Sequence, residues 1–207
     1  MRFLLFVEGH TEQKALGSFL KRWLDPRLSL PVGITVIRFQ GCDQYLGDIH
    51  QRAHTSLTGD KSNDIIAVIG LLDLYGLNFP DKLNSVTERY NWVKENIQKN
   101  VNHPKFRQFF LVHELEGLLF SDKNIFPDAI SRVFPKKALR PETINFDEPP
   151  AKLLGKLYKE HINKDYRKTT TGKALFDKLN PEKAYEKCPY FKLMLDEMLH
   201  LAKDAGL

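Results

Sequence analysis

Cysteine is scarce in this chain: Cys42 and Cys188 are the two among 207 residues, far apart and without C-x-x-C spacing. That excludes a disulfide framework and offers no zinc signature, and a reducing cytoplasm is the compartment that fits. Long apolar runs are lacking too. The first, Phe3 to Val7, is far short of the ~20 residues a membrane-spanning helix needs, meets Glu8 at once and has no small-residue cleavage site behind it. The chain therefore reads as soluble and unsecreted. Internal repeats and low-complexity tracts are missing, and 42% hydrophobic residues is not the composition of a disordered chain. The length fits one domain with an appended subdomain, large enough to bury a core without metal or disulfide support.

Lys and Arg number 31 against 26 Asp and Glu, a formal charge of +5. The excess lies late in the chain: 14 basic and 13 acidic residues fall in 1–120, 17 and 13 in 121–207, and 11 and 5 between Lys152 and Lys192. A basic surface of that kind attracts a polyanion, and nucleic acid is the commonest. Lys-rich helices that merely keep a small domain dissolved explain the same composition equally well.

Four short apolar stretches rich in β-branched and aromatic residues are predicted strands: Phe3 to Val7, Ile34 to Phe39, Ile65 to Leu72 and Phe109 to Val112. Helical segments alternate with them. Ala15, Leu16, Phe19, Leu20, Trp23 and Leu24 recur at the helical interval, with Thr11 as the expected N-cap and Pro26 just past the end. Further helices are expected over Gln44 to Leu57 and Asp81 to Gln98. Wholly apolar strands alternating with helices mean a parallel sheet covered on both faces, an open α/β fold. After Asp122 the pattern changes, interrupted by Pro135, Pro141, Pro149 and Pro150. Residues 1–122 are read as the α/β core and 123–207 as a C-terminal helical cap packed on it. The cap is expected to hold a helix and loop over Asn124 to Arg140, then three or four short helices from Ala151 to Ala205.

Open parallel sheets carry their chemistry beyond the C-terminal strand ends. Here those positions are Glu8 after the first strand, Asp73 after the third, and His113, Glu114 and Glu116 after the fourth. Glu12 joins them, because Gly9 permits a tight turn and places Glu12 in the first helical turn, where the helix dipole favours an acid. Converging carboxylates repel unless a divalent cation neutralises them, and oxygen-only ligands favour Mg²⁺ or Mn²⁺. A single strand-end acid, by contrast, often just caps the next helix.

These residues carry a resemblance. Val7-Glu8-Gly9-x-Thr11-Glu12, Leu71-Leu72-Asp73-x-Tyr75-Gly76 and His113-Glu114-x-Glu116 followed by Phe120-Ser121-Asp122 resemble the RloG-like family, domain of unknown function 4276. Asp147-Glu148-Pro149-Pro150-x-Lys152, Tyr166-Arg167-Lys168 with Gly172-Lys173, and Cys188-Pro189-Tyr190-Phe191 follow in that family's order. The family is similar to Toprim domains, the metal-dependent fold of topoisomerases, primases and overcoming-lysogenization-defect (OLD) nucleases. The resemblance implies a Toprim/Rossmann-like sheet in which Glu8 matches the first-strand glutamate, Glu12 the second acid of the nuclease-type Glu-Gly-x-Thr-Glu pattern, and Asp73 the first aspartate of Asp-x-Asp. Tyr75 stands where the second aspartate belongs, so a complete site requires an oxygen from Glu114 or Glu116.

The implied activity is Mg²⁺- or Mn²⁺-dependent phosphodiester cleavage. Glu8, Asp73 and Glu116 would hold metal, Glu12 a second ion or a water, and Arg167, Lys168 and Lys173 the nucleic-acid phosphates. The resemblance also implies a restriction or antiphage setting, DNA before RNA, and an ABC- or AAA-type ATPase partner. The competing reading is a non-catalytic adaptor of such an ATPase. A receiver-like signalling domain fits less well, since it needs paired acids after the first strand.

Other motifs fail or read as packing. His113-Glu114 begins like H-E-x-x-H, but Gly117 replaces the second histidine. His113 and His10 are each either a base or a satisfied polar residue. Thr171-Gly172-Lys173 lacks the remainder of a phosphate loop. Tyr166, Tyr185, Tyr190 and Phe191 are candidates for base stacking, though at helical spacing aromatics more often pack, and Trp23 and Trp92 are expected to pack.

Overall fold

The computed structural model describes residues 1–59, 62–143 and 148–207, so Asp147 of the Asp147-Glu148-Pro149-Pro150 motif lies outside them. The core runs β1 (Arg2–Val7), α1 (His10–Leu24), β2 (Gly33–Arg38), α2 (Cys42–Thr58), β3 (Ile65–Asp73), α3 (Val86–Val101) and β4 (Phe106–Leu111). The strands form a four-stranded sheet in the order β2-β1-β3-β4, parallel throughout. Phe3 lies opposite Ile34 on one side and Ala67 on the other, and Leu71 lies opposite Phe109. Each successive strand is reached through a helix, which is what parallel pairing requires.

The apolar strands serve two cores by alternation. Leu4, Phe6, Val68 and Leu72 meet Tyr45 and Ile49 of α2 and Tyr90 and Ile97 of α3. Phe3, Leu5, Val7, Ile69 and Leu71 meet Leu16, Phe19 and Leu20 of α1 on the opposite face. Gly70 allows a polar bond inside the first core. The buried Tyr45 hydroxyl donates to Gln108 Oε1 at 2.7 Å, and a Cβ on Gly70 would lie 2.1 Å from that hydroxyl and 2.3 Å from Oε1.

Several expected boundaries shift for physical reasons. α1 begins at His10 behind Gly9, and Thr11, expected as its N-cap, is buried in the first turn. α3 begins at Val86, not Asp81, because Ser85 and Glu88 form a reciprocal capping box: Ser85 Oγ accepts the Glu88 N–H at 3.1 Å, and Glu88 Oε2 accepts the Ser85 N–H at 2.9 Å. β4 begins three residues earlier than its apolar run, at Phe106. Arg107 there bonds Glu197 at 2.7 Å, and Gln108 is buried against Tyr45.

Beyond β4 come a 3₁₀ stretch (Leu115–Ser121), short turns around α4 (Asp128–Arg132), then α5 (Pro150–Ile162), a π-helical turn (Lys168–Gly172), α6 (Lys173–Lys178), α7 (Pro181–Lys187) and α8 (Pro189–Asp204). α5 and α8, at 13 and 16 residues, are longer than the short helices expected. The late prolines start helices: Pro150, Pro181 and Pro189 occupy first-turn positions, where the missing N–H costs nothing. Leu153, Leu154, Leu157, Phe176, Phe191, Met194 and Met198 join the same core as α1. Arg22 of α1 fastens α6 by donating to the carbonyls of Phe176 at 2.6 Å and Leu179 at 3.0 Å.

Trp23 is buried as expected, but Trp92, expected to pack, is 37% exposed and meets Phe79 edge-on. Cys42 and Cys188 are free thiols. No helix among the described residues is long and apolar enough to cross a membrane.

Candidate functional site

The chain leaves β1 towards β2 on one side and returns to β3 on the other, so a crevice opens at the C-terminal ends of β1 and β3. Glu8 follows β1, and Asp73 is the last residue of β3. Glu12 folds back over the turn, close enough that a Cβ on Gly9 would lie 2.5 Å from its Oε2. The 3₁₀ stretch after β4 brings in Glu116, and Lys168 at the start of the π-helical turn closes the far side. These side chains, with Glu114, His10, Thr11 and Tyr75, line one cleft of about 350 Å³.

The acids are crowded and partly removed from water. Asp73 is raised well above an ordinary carboxylate by burial and by the charges of Glu12, Glu8, Glu116 and Glu114. Burial, with Glu116 and Glu8 adding to it, pushes Glu12 up to about 6. Burial likewise raises Glu116 against the pull of Lys168, and raises Glu8 although the Cys42 backbone N–H bonds to it. At Lys168 burial works against the charge, but Glu116 and Glu114 outweigh it and raise the ammonium. Carboxyls held towards neutrality around a lysine held charged are the mark of a site that gathers charge rather than one that merely packs.

The lysine holds two of the acids directly. Its Nζ lies 2.9 Å from Glu114 Oε1 and 3.4 Å from Glu116 Oε2. The second Glu114 oxygen accepts the Ala151 N–H of α5 at 2.9 Å, so this carboxylate is committed to the wall. Glu116 Oε1 is buried and makes no well-formed hydrogen bond among the described residues, with the buried Tyr166 hydroxyl beside this carboxylate. Among the described residues, no three Asp, Glu, His or Cys side chains stand as a ready-made ligand set. The donors nevertheless suit a hard divalent cation: they are all oxygens, mutually repelling, and one is buried without a well-formed hydrogen bond.

Of the expected phosphate-binding residues, Lys168 enters the cleft and two do not. Lys173 pairs with Asp177 one helical turn on, at 2.7 Å, and Arg167 is exposed outside the lining. His113 is buried and held low by burial, while His10 is exposed at the mouth. The late aromatics pack: Phe191 against Phe19, Tyr185 against Trp23, Tyr190 against Tyr90 and Tyr166 against Tyr158. Two contributors were not foreseen. Tyr75 forms part of the wall, and Cys42 supplies the N–H to Glu8; the Gly41-Cys42 helix start was the signal for the second.

Fold and crevice together define an open parallel α/β protein with its acids at the topological switch point. The family described as Domain of unknown function (DUF4276) matches residues 7–199, and the chain belongs to that family. No curated protein matches. Among solved structures, the chain is similar to the C-terminal region of the Burkholderia pseudomallei OLD protein, with a TM-score of 0.50 and 17% identity over 99% of this chain and 98% of that one. It is also similar to the C-terminal region of the Xanthomonas campestris pv. campestris OLD protein, with a TM-score of 0.46 and 15% identity over 98% and 95%. At 17% identity the likeness to the Burkholderia pseudomallei region is one of fold alone.

Proposed function

We propose that this protein is a Mg²⁺- or Mn²⁺-dependent nuclease, or a related phosphoryl-transfer enzyme of Toprim type, acting on nucleic acid and on DNA before RNA. The observation that carries this reading is the convergence of Glu8, Glu12, Asp73 and Glu116 on one crevice with Lys168 across it. Glu8, Asp73 and the buried Glu116 would hold the cation, and Glu12 a second ion or the attacking water. Bound there, Mg²⁺ or Mn²⁺ supplies Lewis-acid stabilisation of phosphoryl charge and lowers the pKa of water. Lys168 would turn from the acids to a phosphate oxygen as a mobile point charge. Glu114 keeps α5 and Lys168 in place and is not needed as a ligand.

The test is incubation of the purified protein with supercoiled plasmid, single-stranded DNA and RNA in Mn²⁺ and Mg²⁺, beside a Glu8→Ala plus Asp73→Ala variant. Cleavage by the wild type that the variant lacks is the expected result; cleavage retained by the variant would be contamination and sink the reading. Tyr75 at the second aspartate position favours one alternative, a non-catalytic subunit, with an ATPase as the proposed partner class. That alternative predicts no Mn²⁺-induced thermal shift and co-purification with the ATPase that survives Glu8→Ala.

A further inference from the structure

Tyr75 is shared between two cavities. Besides the acidic crevice it lines a second one of about 220 Å³, together with Leu74, Gly76, Leu77, Phe79 and Arg89. Gly76, at φ 91°, turns the chain there in a conformation a side chain would strain. Arg89 is fixed by its Nε donating to the Leu83 carbonyl at 3.0 Å, and its guanidinium lies 5.4 Å from the centre of the Phe79 ring. Trp92, on the next turn of α3, meets Phe79 edge-on with 6.4 Å between ring centres. Both rings can be reached from solvent, Tyr75 being 41% and Trp92 37% exposed.

We propose that this cavity is a base-stacking subsite that receives one unpaired nucleobase of the strand whose phosphate lies in the acidic crevice. The proposal rests on the nuclease reading for the position of the phosphate, and it adds the substrate class: single strands, flaps or flipped-out nucleotides rather than intact duplex. The two cavities have complementary chemistry. The crevice offers oxygens and an ammonium for cation and phosphate, while its neighbour offers π faces and a guanidinium, which suit a base and little else on a polynucleotide. A paired base shows only its edges, so only an unstacked base can enter between side walls. On this view Tyr75 replaces a second aspartate with a wall that holds the substrate.

Trp23 is 2% exposed, while Trp92 touches Phe79 of the cavity wall, so Trp92 is the tryptophan whose fluorescence is followed. The experiment titrates the full chain with a short single-stranded oligodeoxynucleotide, the same oligonucleotide with one central abasic residue, and the corresponding duplex, in Ca²⁺ and separately in EDTA. Tyr75→Ala and Tyr75→Phe are run alongside. The single strand is expected to quench Trp92, with affinity falling about tenfold on Tyr75→Ala, the scale of one stacked base. Tyr75→Phe restores it, the abasic strand loses as much as Tyr75→Ala, and the two losses do not add. Equal affinity for single strand and duplex, indifference to both Tyr75→Ala and the abasic residue, or no Trp92 response in either condition overturns the subsite. The cleavage assay scores the nuclease reading separately. Tyr75-dependent binding in EDTA without cleavage in Mn²⁺ keeps the subsite and ends the nuclease reading, and cleavage with no Tyr75 or abasic dependence does the reverse.

Discussion

Glu12 shows what a cleft of like charges costs the folded chain. Its carboxyl sits at about 6, against 4.5 for the ordinary group, because burial and the neighbouring Glu116 and Glu8 disfavour the anion. A group whose folded pKa is raised contributes stability below its unfolded pKa and loses it as pH climbs through the folded value. The window is therefore pH 4.5 to about 6, and above it Glu12 costs no more than about 2 kcal/mol. Glu12→Gln, which cannot ionise, is expected to raise the Tm in EDTA at pH 7.5 and leave it nearly unchanged at pH 4.5; a lower Tm at pH 7.5 would contradict this. The acids themselves were legible, since strand-end position is visible in an apolar run that stops at Glu8 or Asp73. The choice among the cations was not. Lys168 and Lys173 look alike in sequence, and only the π-helical turn and the helical partner Asp177 send one inward and tie up the other.

Whole elements were readable where burial and periodicity agree, as in β1, β3 and α1. They were misjudged where polar residues are buried for a reason outside the element. The start of β4 is hidden because Gln108 serves Tyr45 of α2, a partner 63 positions away. Gly70 is the third member of that arrangement, and here the packing makes a sharp demand. Gly70→Ala is expected to lower stability by ~1–3 kcal/mol through overpacking, read from urea unfolding, although alanine suits a strand better than glycine. An unchanged midpoint would mean that Tyr45 and Gln108 move aside freely. α3 starts five residues after Asp81 although Asp81 to Asn84 is helix-compatible in composition, because the Ser85-x-x-Glu88 box fixes its first turn.

The division at 122 follows a change in sequence pattern, yet the apolar core disregards it. Phe19 of α1 packs on Phe176 and Phe191, and one cluster runs from Phe3 to Ala202. Residues 1–122 made alone are accordingly expected to lack a cooperative thermal transition, because α1 would carry an uncovered apolar face; a two-state melt of that fragment, followed by near-ultraviolet circular dichroism, would show two separable units. Proline frequency in the later half is an ambiguous signal, since proline both interrupts helices and opens them, and α5, α7 and α8 use the second role.

The two thiols have a practical consequence. Cys188 is buried, and burial with the charges of Glu8, Asp43 and Asp73 pushes Cys42 up to about 11, so neither offers appreciable thiolate at neutral pH. The native chain is thus a quiet background for maleimide or spin-label chemistry. A cysteine introduced on the exposed rim would react selectively, and distances across the crevice become measurable without first stripping out the natural sulfurs.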